Sequence, residues 1–262
     1  MLSLAPDRET ILLEARNLSK SFGGVQAVAE VQLTARSGQI TGLIGPNGAG
    51  KSTLFQLLSR FSSPDRGDIL FQGRSLLPYG PHQVAQLGLV RTFQTPRVFA
   101  RLTVLDNVML AAQDQRGERF WQVWLGAEPI ARQERQLREQ ARAILESVGL
   151  GAKMQDYAGA LSGGQRKLLG LAQVLMVQPK LILLDEPMAG VNPTLIEQIC
   201  QAIASWHQEG IAFLIIEHNI EVIMTLCDRV WVMAEGRNLV DGPPQQVRQD
   251  GRVLEAYLGV GA

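Results

Sequence analysis

Gly45-Pro46-Asn47-Gly48-Ala49-Gly50-Lys51-Ser52-Thr53 follows the apolar run 40–44 and leads into a helix-forming stretch at 54–59. Strand, glycine-rich loop and helix in that order, with GxxxxGKS/T spacing at the junction, describe a phosphate-binding loop. Glycines without Cβ let consecutive backbone N–H groups turn inward on an anion, and the helix that follows adds the positive end of its dipole. In such a loop the ammonium of Lys51 reaches β- and γ-phosphates, and the hydroxyl of Ser52 is a ligand for Mg²⁺. The spacing arises by chance in about one chain of this size in a hundred, so the flanking strand and helix carry much of the weight.

Outward from this loop, β-type runs occur at 11–15, 25–35 and 68–71, and helical patterns dominate 103–177. Beyond them come a strand-like run at 181–184, a helix from Pro193, a strand at 211–216, a helix after His218 and a strand at 230–233. That alternation implies a parallel sheet covered by helices. The middle block is too long for a simple crossover and reads as a helical lobe inserted into an α/β core. The expected organisation is one cassette over 1–262, with 1–93 and 178–262 as the core and 94–177 as the lobe. Within the lobe, 117–129 reads as a loop with exposed aromatic residues and 131–148 as an amphipathic helix. Its pairs Glu134/Arg138 and Arg135/Glu139 stand at i,i+4, the pattern of a solvated face.

The chain has 262 residues, with 25 Lys+Arg against 25 Asp+Glu, and 46% of its residues are hydrophobic. Zero net charge argues against a broad basic surface for nucleic acid, which is excluded as a partner. This length buries enough apolar surface to fold without a disulfide or structural metal. Cys200 and Cys227 therefore read as small buried hydrophobes in a reducing compartment. Asp7, Arg8 and Glu9 interrupt the N-terminal stretch, so no export signal is expected there. No run approaches the ~18 apolar residues of a spanning helix, and any membrane contact is expected to pass through other proteins.

Hydrolysis of a bound nucleotide needs a metal-holding carboxylate and a group that orients water. Leu181-Ile182-Leu183-Leu184 is an apolar strand ending in Asp185-Glu186-Pro187. Successive strand side chains face opposite ways, so Asp185 can face Mg²⁺ while Glu186 approaches the attacking water as the chain turns. In isolation the same pair reads as a helix N-cap before Pro187. Phe213-Leu214-Ile215-Ile216 ends likewise in Glu217-His218, where a neutral imidazole can bond a γ-phosphate. Alone, such a histidine is more often structural, and His82 and His207 read as surface residues. Leu161-Ser162-Gly163-Gly164-Gln165 precedes a helical run at 166–176, a second glycine-rich helix start facing an anion.

With LSGGQ lying between a phosphate-binding loop and an Asp-Glu-ended strand, the chain resembles the ABC-type ATPases, and the order of the other elements agrees. The resemblance implies the P-loop NTPase ABC-ATPase fold: a RecA-like α/β core, an N-terminal antiparallel β subdomain and an inserted α-helical lobe. It implies ATP and Mg²⁺ as cofactors, held by residues Gly45 through Thr53. Phe22 in Ser21-Phe22-Gly23-Gly24 takes the place of the adenine-stacking aromatic, a core phenylalanine being the alternative. Gln94 takes that of the Q-loop glutamine, which joins core to lobe and senses γ-phosphate and Mg²⁺. Asp185 resembles the metal-holding acid, Glu186 the catalytic base and His218 the switch histidine. One departure is Asn192, where many members have Asp; it keeps a hydrogen-bonding side chain without the charge. The family pattern also implies that one loop and one LSGGQ in the same chain lie too far apart to close on one nucleotide. Two chains then sandwich ATP head to tail, with Ser162 and Gly164 of one facing the γ-phosphate held by Lys51 of the other, and Gly163 and Gln165 completing the nucleotide-binding set.

Val90-Arg91-Thr92-Phe93-Gln94-Thr95-Pro96, Leu102-Thr103-Val104-Leu105-Asp106-Asn107-Val108, the insertion 113–139, Asn192-Pro193 and Leu254-Glu255-Ala256-Tyr257-Leu258-Gly259 narrow the resemblance. They are similar to the longer ATPase of bacterial importers of branched-chain and other hydrophobic amino acids. That implies a peripheral protein on the cytoplasmic face of the inner membrane. Its partners would be two integral membrane permease subunits, a second ATPase chain (identical or a shorter homologue) and, indirectly, a periplasmic substrate-binding protein. The coupling surface would lie near 94–101 and the helical lobe. A urea importer and a soluble ABC ATPase of a cytosolic assembly, such as iron–sulfur cluster scaffolding, are the alternatives.

Overall fold

The computed structural model describes residues 10–92, 97–112 and 127–258. In chain order the elements are β1 (Ile11–Phe22), β2 (Val25–Arg36), β3 (Ile40–Ile44), α1 (Lys51–Leu58), β4 (Arg66–Phe71), β5 (Arg74–Ser75), α2 (Pro81–Gln86), β6 (Leu89–Arg91), α3 (Val104–Met109), α4 (Ala127–Ser147) and α5 (Gly163–Met176). They continue as β7 (Leu181–Asp185), α6 (Pro193–Gln208), β8 (Ala212–Ile216), α7 (Ile220–Leu226), β9 (Arg229–Ala234), β10 (Arg237–Gly242), α8 (Pro244–Gln249) and α9 (Gly251–Leu258).

Two compact units result. The first holds the described residues up to Arg91, then Lys180–Ala189, then those from Ile203 onward; the second holds those between Thr92 and Pro179 together with Gly190–Ala202. The stretch 190–202, assigned to the core on sequence grounds, thus groups with the helical unit.

Two sheets build the first unit, one in the order β2-β1-β4-β5 and one in the order β10-β9-β3-β8-β7-β6. The first is antiparallel throughout. In the second, β6, β7, β8, β3 and β9 run parallel and only the edge strand β10 is antiparallel. β3 and β8 are buried at every position, and β7 at every position before Asp185. Uninterrupted apolar runs are what a parallel strand covered on both faces requires. Strand β1 extends to Phe22, well past the apolar run at its start, because register shifts after Ala15 and Leu18 let it keep pairing with β2. Such irregularity hides a long strand from a period-2 reading.

Helix α1 buries Leu54, Phe55, Leu57 and Leu58 in a cluster that also contains Leu33, Ile69, Leu183 and Leu214. Each contributes roughly 1.5–3 kcal/mol of apolar burial. The N-terminus of α1, where the phosphate-binding loop ends, is therefore pinned between both sheets. Because β3, β7 and β8 are parallel, their carboxyl ends lie along one edge, the edge at which open α/β sheets bind ligands.

In the second unit α3, α4 and α5 pack on one another. Helix α4 starts at Ala127, so 127–129 of the expected loop are helical; its remaining positions, 117–126, lie outside the described residues. Arg138 pairs with Glu134 at 3.3 Å, as the i,i+4 spacing predicts, whereas Arg135 donates to the Ala131 carbonyl.

Candidate functional site

The loop after β3 approaches its neighbours so closely that neither Gly45, against the Met233 carbonyl, nor Gly50 has room for a side chain. Gly50, the N-cap of α1, has φ +94°, and a Cβ on it would stand 2.2 Å from the carbonyl oxygen of Ala27 in β2. The loop is tied on its other side by Gly236 N–H, which donates to the Ala49 carbonyl at 3.2 Å. Lys51 is 6% exposed, and its ammonium donates to the carbonyls of Gly45 at 2.6 Å and Pro46 at 3.0 Å. Burial lowers its pKa, opposed by the charges of Glu186 and Asp185. A desolvated cation beside the open amides of a helix start is an environment that favours a polyanion.

Residues Asn47 through Thr53 line a cavity of about 230 Å³ together with Ala27, Glu186 and His218. Gly45 and Pro46 stand behind it as acceptors for Lys51. Thus Asn47, Gly48, Ala49, Gly50, Lys51, Ser52, Thr53, Glu186 and His218 come together at one place.

The register explains how the acid and the histidine meet. Asp185, last in β7, is level with Ile216, last in β8. One residue on, Glu186 turns into the left-handed region at φ +48°, its N–H still bonded to the Ile216 carbonyl at 3.0 Å. The turn aims its carboxylate at the next loop, where Oε1 lies 2.7 Å from Nε2 of His218. A non-glycine residue in that conformation carries a cost of about 1–3 kcal/mol, which functional sites tolerate when their surroundings enforce it.

Asp185 has a partner that its motif does not show. Its Oδ2 accepts from Nη2 of Arg91 at 2.7 Å, both side chains being nearly buried at 13% and 9% exposure. Arg91 ends the neighbouring strand β6 and also stacks 5.9 Å from the Phe55 ring centroid. In the sequence Arg91 stands out only within the string 90–96. The available signal was a cation ending a strand within an α/β core, where an unpaired charge is costly. Ala27, which also lines the cavity, had no signal of its own. Glu217 is buried at 4% exposure; burial raises its pKa against the hydrogen bonds it accepts.

Phe22 and Val25 pair across the hairpin that joins β1 to β2, and both are exposed. The ammonium of Lys20 sits 5.5 Å from the Phe22 centroid, so the ring is not a core phenylalanine. Gln94 lies outside the described residues.

In the second unit Ser162 is the N-cap of α5: its hydroxyl accepts from Gln165 N–H at 3.2 Å, and Gln165 Oε1 accepts from Ser162 N–H at 3.0 Å. This reciprocal capping box gives both residues a folding role. Gly164 packs under α6, where a Cβ would fall 2.1 Å from Leu195 Cδ2. Gly163 has open space around its Cβ position. Asn192 Oδ1 accepts from Leu195 N–H at 2.9 Å, capping α6.

Residues 28–189 match the ABC transporter family, and 237–262 match the branched-chain amino acid ATP-binding cassette transporter family. The chain is 37% identical over 248 residues to the probable branched-chain amino acid transport ATP-binding protein LivG of Archaeoglobus fulgidus, covering 95% of each. It is 36% identical to the high-affinity branched-chain amino acid transport ATP-binding protein BraF of Pseudomonas aeruginosa, with 95% and 98% covered. Among solved structures, a nucleotide-free ATP-binding cassette from an ABC transporter superposes with a TM-score of 0.81 at 34% identity, covering 96% of this chain and all of that one. The ADP conformation of another ABC transporter cassette gives a TM-score of 0.80 at 33% identity, with 95% and 99% covered. A pinned phosphate loop, an acid and a histidine on adjacent strand ends, and a serine-capped LSGGQ helix are thus found in a chain alike along nearly all its length to these proteins: it belongs to the ATPase subunits of the ABC transporter family, in the branched-chain amino acid branch.

Proposed function

We propose that this chain binds MgATP in the cavity at Lys51 and hydrolyses it to drive uptake of branched-chain or other hydrophobic amino acids through a membrane complex. The observation that carries the reading is the Glu186–His218 pair at 2.7 Å, on the wall of the same cavity as the phosphate loop. The amides of Gly48 through Ser52 and the ammonium of Lys51 bind and orient the phosphates. Glu186 accepts a proton from the attacking water, and His218 holds the carboxylate and contacts the γ-phosphate. Water adds at phosphorus, the bond to the bridging oxygen breaks, and ADP and phosphate leave.

The donors present fit Mg²⁺. Among the described residues no cluster of three His, Cys, Asp or Glu forms a cage of its own, but Mg²⁺ is ordinarily held by one or two protein oxygens together with phosphates and water. The Ser52 hydroxyl and the Asp185 carboxylate are such oxygens, with Gln94 as the third candidate. The ion would supply charge neutralisation across the β- and γ-phosphates.

One phosphate-binding loop and one LSGGQ stretch per chain, in a member of this family, support a head-to-tail pair in which a second ATPase chain provides the LSGGQ side of each site. No helix among the described residues is long and apolar enough to cross a membrane. Two integral permease subunits, reached from the cytoplasmic face of the inner membrane, and a periplasmic binding protein complete the system.

The test is purification of the tagged chain from membranes and identification of its companions, followed by ATPase assays with amino acids in the reconstituted complex. Permease subunits and stimulation by leucine, isoleucine or valine are expected. A complex stable without detergent, or stimulation by urea instead, would overturn the assignment. Glu186→Gln should lower hydrolysis at least ~100-fold, the scale of one positioned general base.

A further inference from the structure

We infer that Glu217 is a positioning residue for hydrolysis, whose carboxylate ties the turn carrying Glu186 to the turn carrying His218 and so keeps those two side chains in contact. The inference rests on the reading of Glu186 as base and His218 as its partner.

Glu217 is the first residue beyond β8 and is 4% exposed, the other described glutamates lying nearer to solvent. Oε1 accepts from Met188 N–H at 2.7 Å, and Oε2 accepts from His218 N–H at 3.2 Å. The Asn219 amide adds a weaker contribution. Met188 lies two residues beyond Glu186, inside the turn that Glu186 opens at φ +48°. Besides this carboxylate, that turn is held by Glu186 N–H on Ile216 O at 3.0 Å and Ala189 N–H on Glu186 O at 3.2 Å. One buried anion therefore braces a left-handed, non-glycine backbone on one side and fixes the amide of the histidine on the other.

Placing a carboxylate there opposes folding, since burial and the nearby charge of Glu186 both disfavour its ionised form. An apolar side chain would suit the site's burial better. What an apolar residue cannot do is accept hydrogen bonds from two separate turns at once. Nor can glutamine do so fully: it has one accepting oxygen, and its NH₂ would face either Met188 N–H or His218 N–H, donor against donor.

The test uses the complex purified from membranes for turnover and the full chain for nucleotide binding. Glu217→Gln and Glu217→Asp are made singly, and Glu217→Gln also with Glu186→Gln. The aspartate keeps the charge but is one methylene short of Met188, so it reports on reach and guards against a glutamine variant that fails to fold. Both single variants should lower kcat about 10–100-fold, the effect of displacing a reacting group by about 1 Å. KM for ATP and the affinity for a fluorescent ATP analogue should stay within about threefold. In single turnover, Glu217→Gln should lower the rate of the Glu186→Gln protein by less than about threefold, because the group it positions is already gone. If Glu186→Gln itself retains full activity, the functional reading falls and this inference with it. If Glu186→Gln is inactive but both Glu217 variants keep kcat within threefold, the inference alone is overturned. It is equally overturned if Glu217→Gln weakens nucleotide binding in step with kcat and multiplies the loss from Glu186→Gln, the signature of general support for the fold.

Discussion

Gly48 and Gly50 sit two residues apart in the same loop, both with positive φ, yet alanine should affect them unequally. At Gly48 (φ +81°) a Cβ meets nothing within 4 Å; at Gly50 (φ +94°) it stands 2.2 Å from the Ala27 carbonyl oxygen. Both substitutions carry the left-handed penalty of about 1–2 kcal/mol. Only Gly50→Ala must also separate two backbones, by about 0.8 Å to reach the 3.0 Å below which real Cβ atoms essentially never lie. Neither side yields cheaply, since Ala27 belongs to a paired strand and Gly50 caps a buried helix. Overpacking of this kind adds about 1–3 kcal/mol, giving about 2–5 kcal/mol for Gly50→Ala against about 1–2 for Gly48→Ala. For a chain of this size each kcal/mol shifts Tm by about 2–4 °C. Urea unfolding followed by circular dichroism, with thermal scans in parallel, should therefore rank wild type above Gly48→Ala above Gly50→Ala. Equal losses for the two variants, within about 0.5 kcal/mol, would refute the close approach of β2 to this loop.

Lys51→Ala should weaken binding of a fluorescent ATP analogue about 10–100-fold, the worth of a charge-assisted hydrogen bond to phosphate; unchanged affinity would refute the phosphate-loop assignment. Arg91→Met should destabilise the nucleotide-free chain by about 3–5 kcal/mol in urea titrations, because it removes the counter-charge of a nearly buried Asp185. The double variant with Asp185→Asn should recover part of that loss. For Glu217 the native pKa is raised above its ordinary 4.5 by burial, so between those two values the folded chain binds the proton more tightly than the unfolded one. Its contribution to stability therefore falls as pH rises through that window. Stability of wild type relative to Glu217→Gln, measured by urea unfolding from pH 4 to 7, should decline with pH; a rising difference would contradict the sign.

Much of the site was written in local sequence because its parts are local devices. A GxxxxGKS/T loop needs only its own residues and a strand before it, and the Ser162–Gln165 capping box closes within one turn. The apolar runs of β3, β7 and β8 announced a parallel sheet because burial on both faces leaves no polar alternation. What escaped notice depends on partners remote in sequence. Arg91 and Asp185 are 94 residues apart, and only the β6–β7 register makes them neighbours. The tie from Glu217 to Met188 spans 29 residues and two loops. The far end of β1 was hidden by its register shifts, and the left-handed turn at Glu186 has no signal in a residue type that seldom adopts it. Asn192 stands out in the sequence only as a departure from the family's Asp, and its hydrogen bond to the Leu195 amide, which caps α6, follows from the fold.

The backbone at Glu186 has a consequence for anyone who redesigns this chain. A procedure that selects residues by foldability would place glycine or asparagine at a position with φ +48° and score the change as an improvement. It would be right about stability, and it would delete the carboxylate that faces His218. Sequences ranked by folding alone should therefore drift toward well-behaved cassettes that bind ATP and leave it intact, and position 186 has to be held fixed by its chemistry.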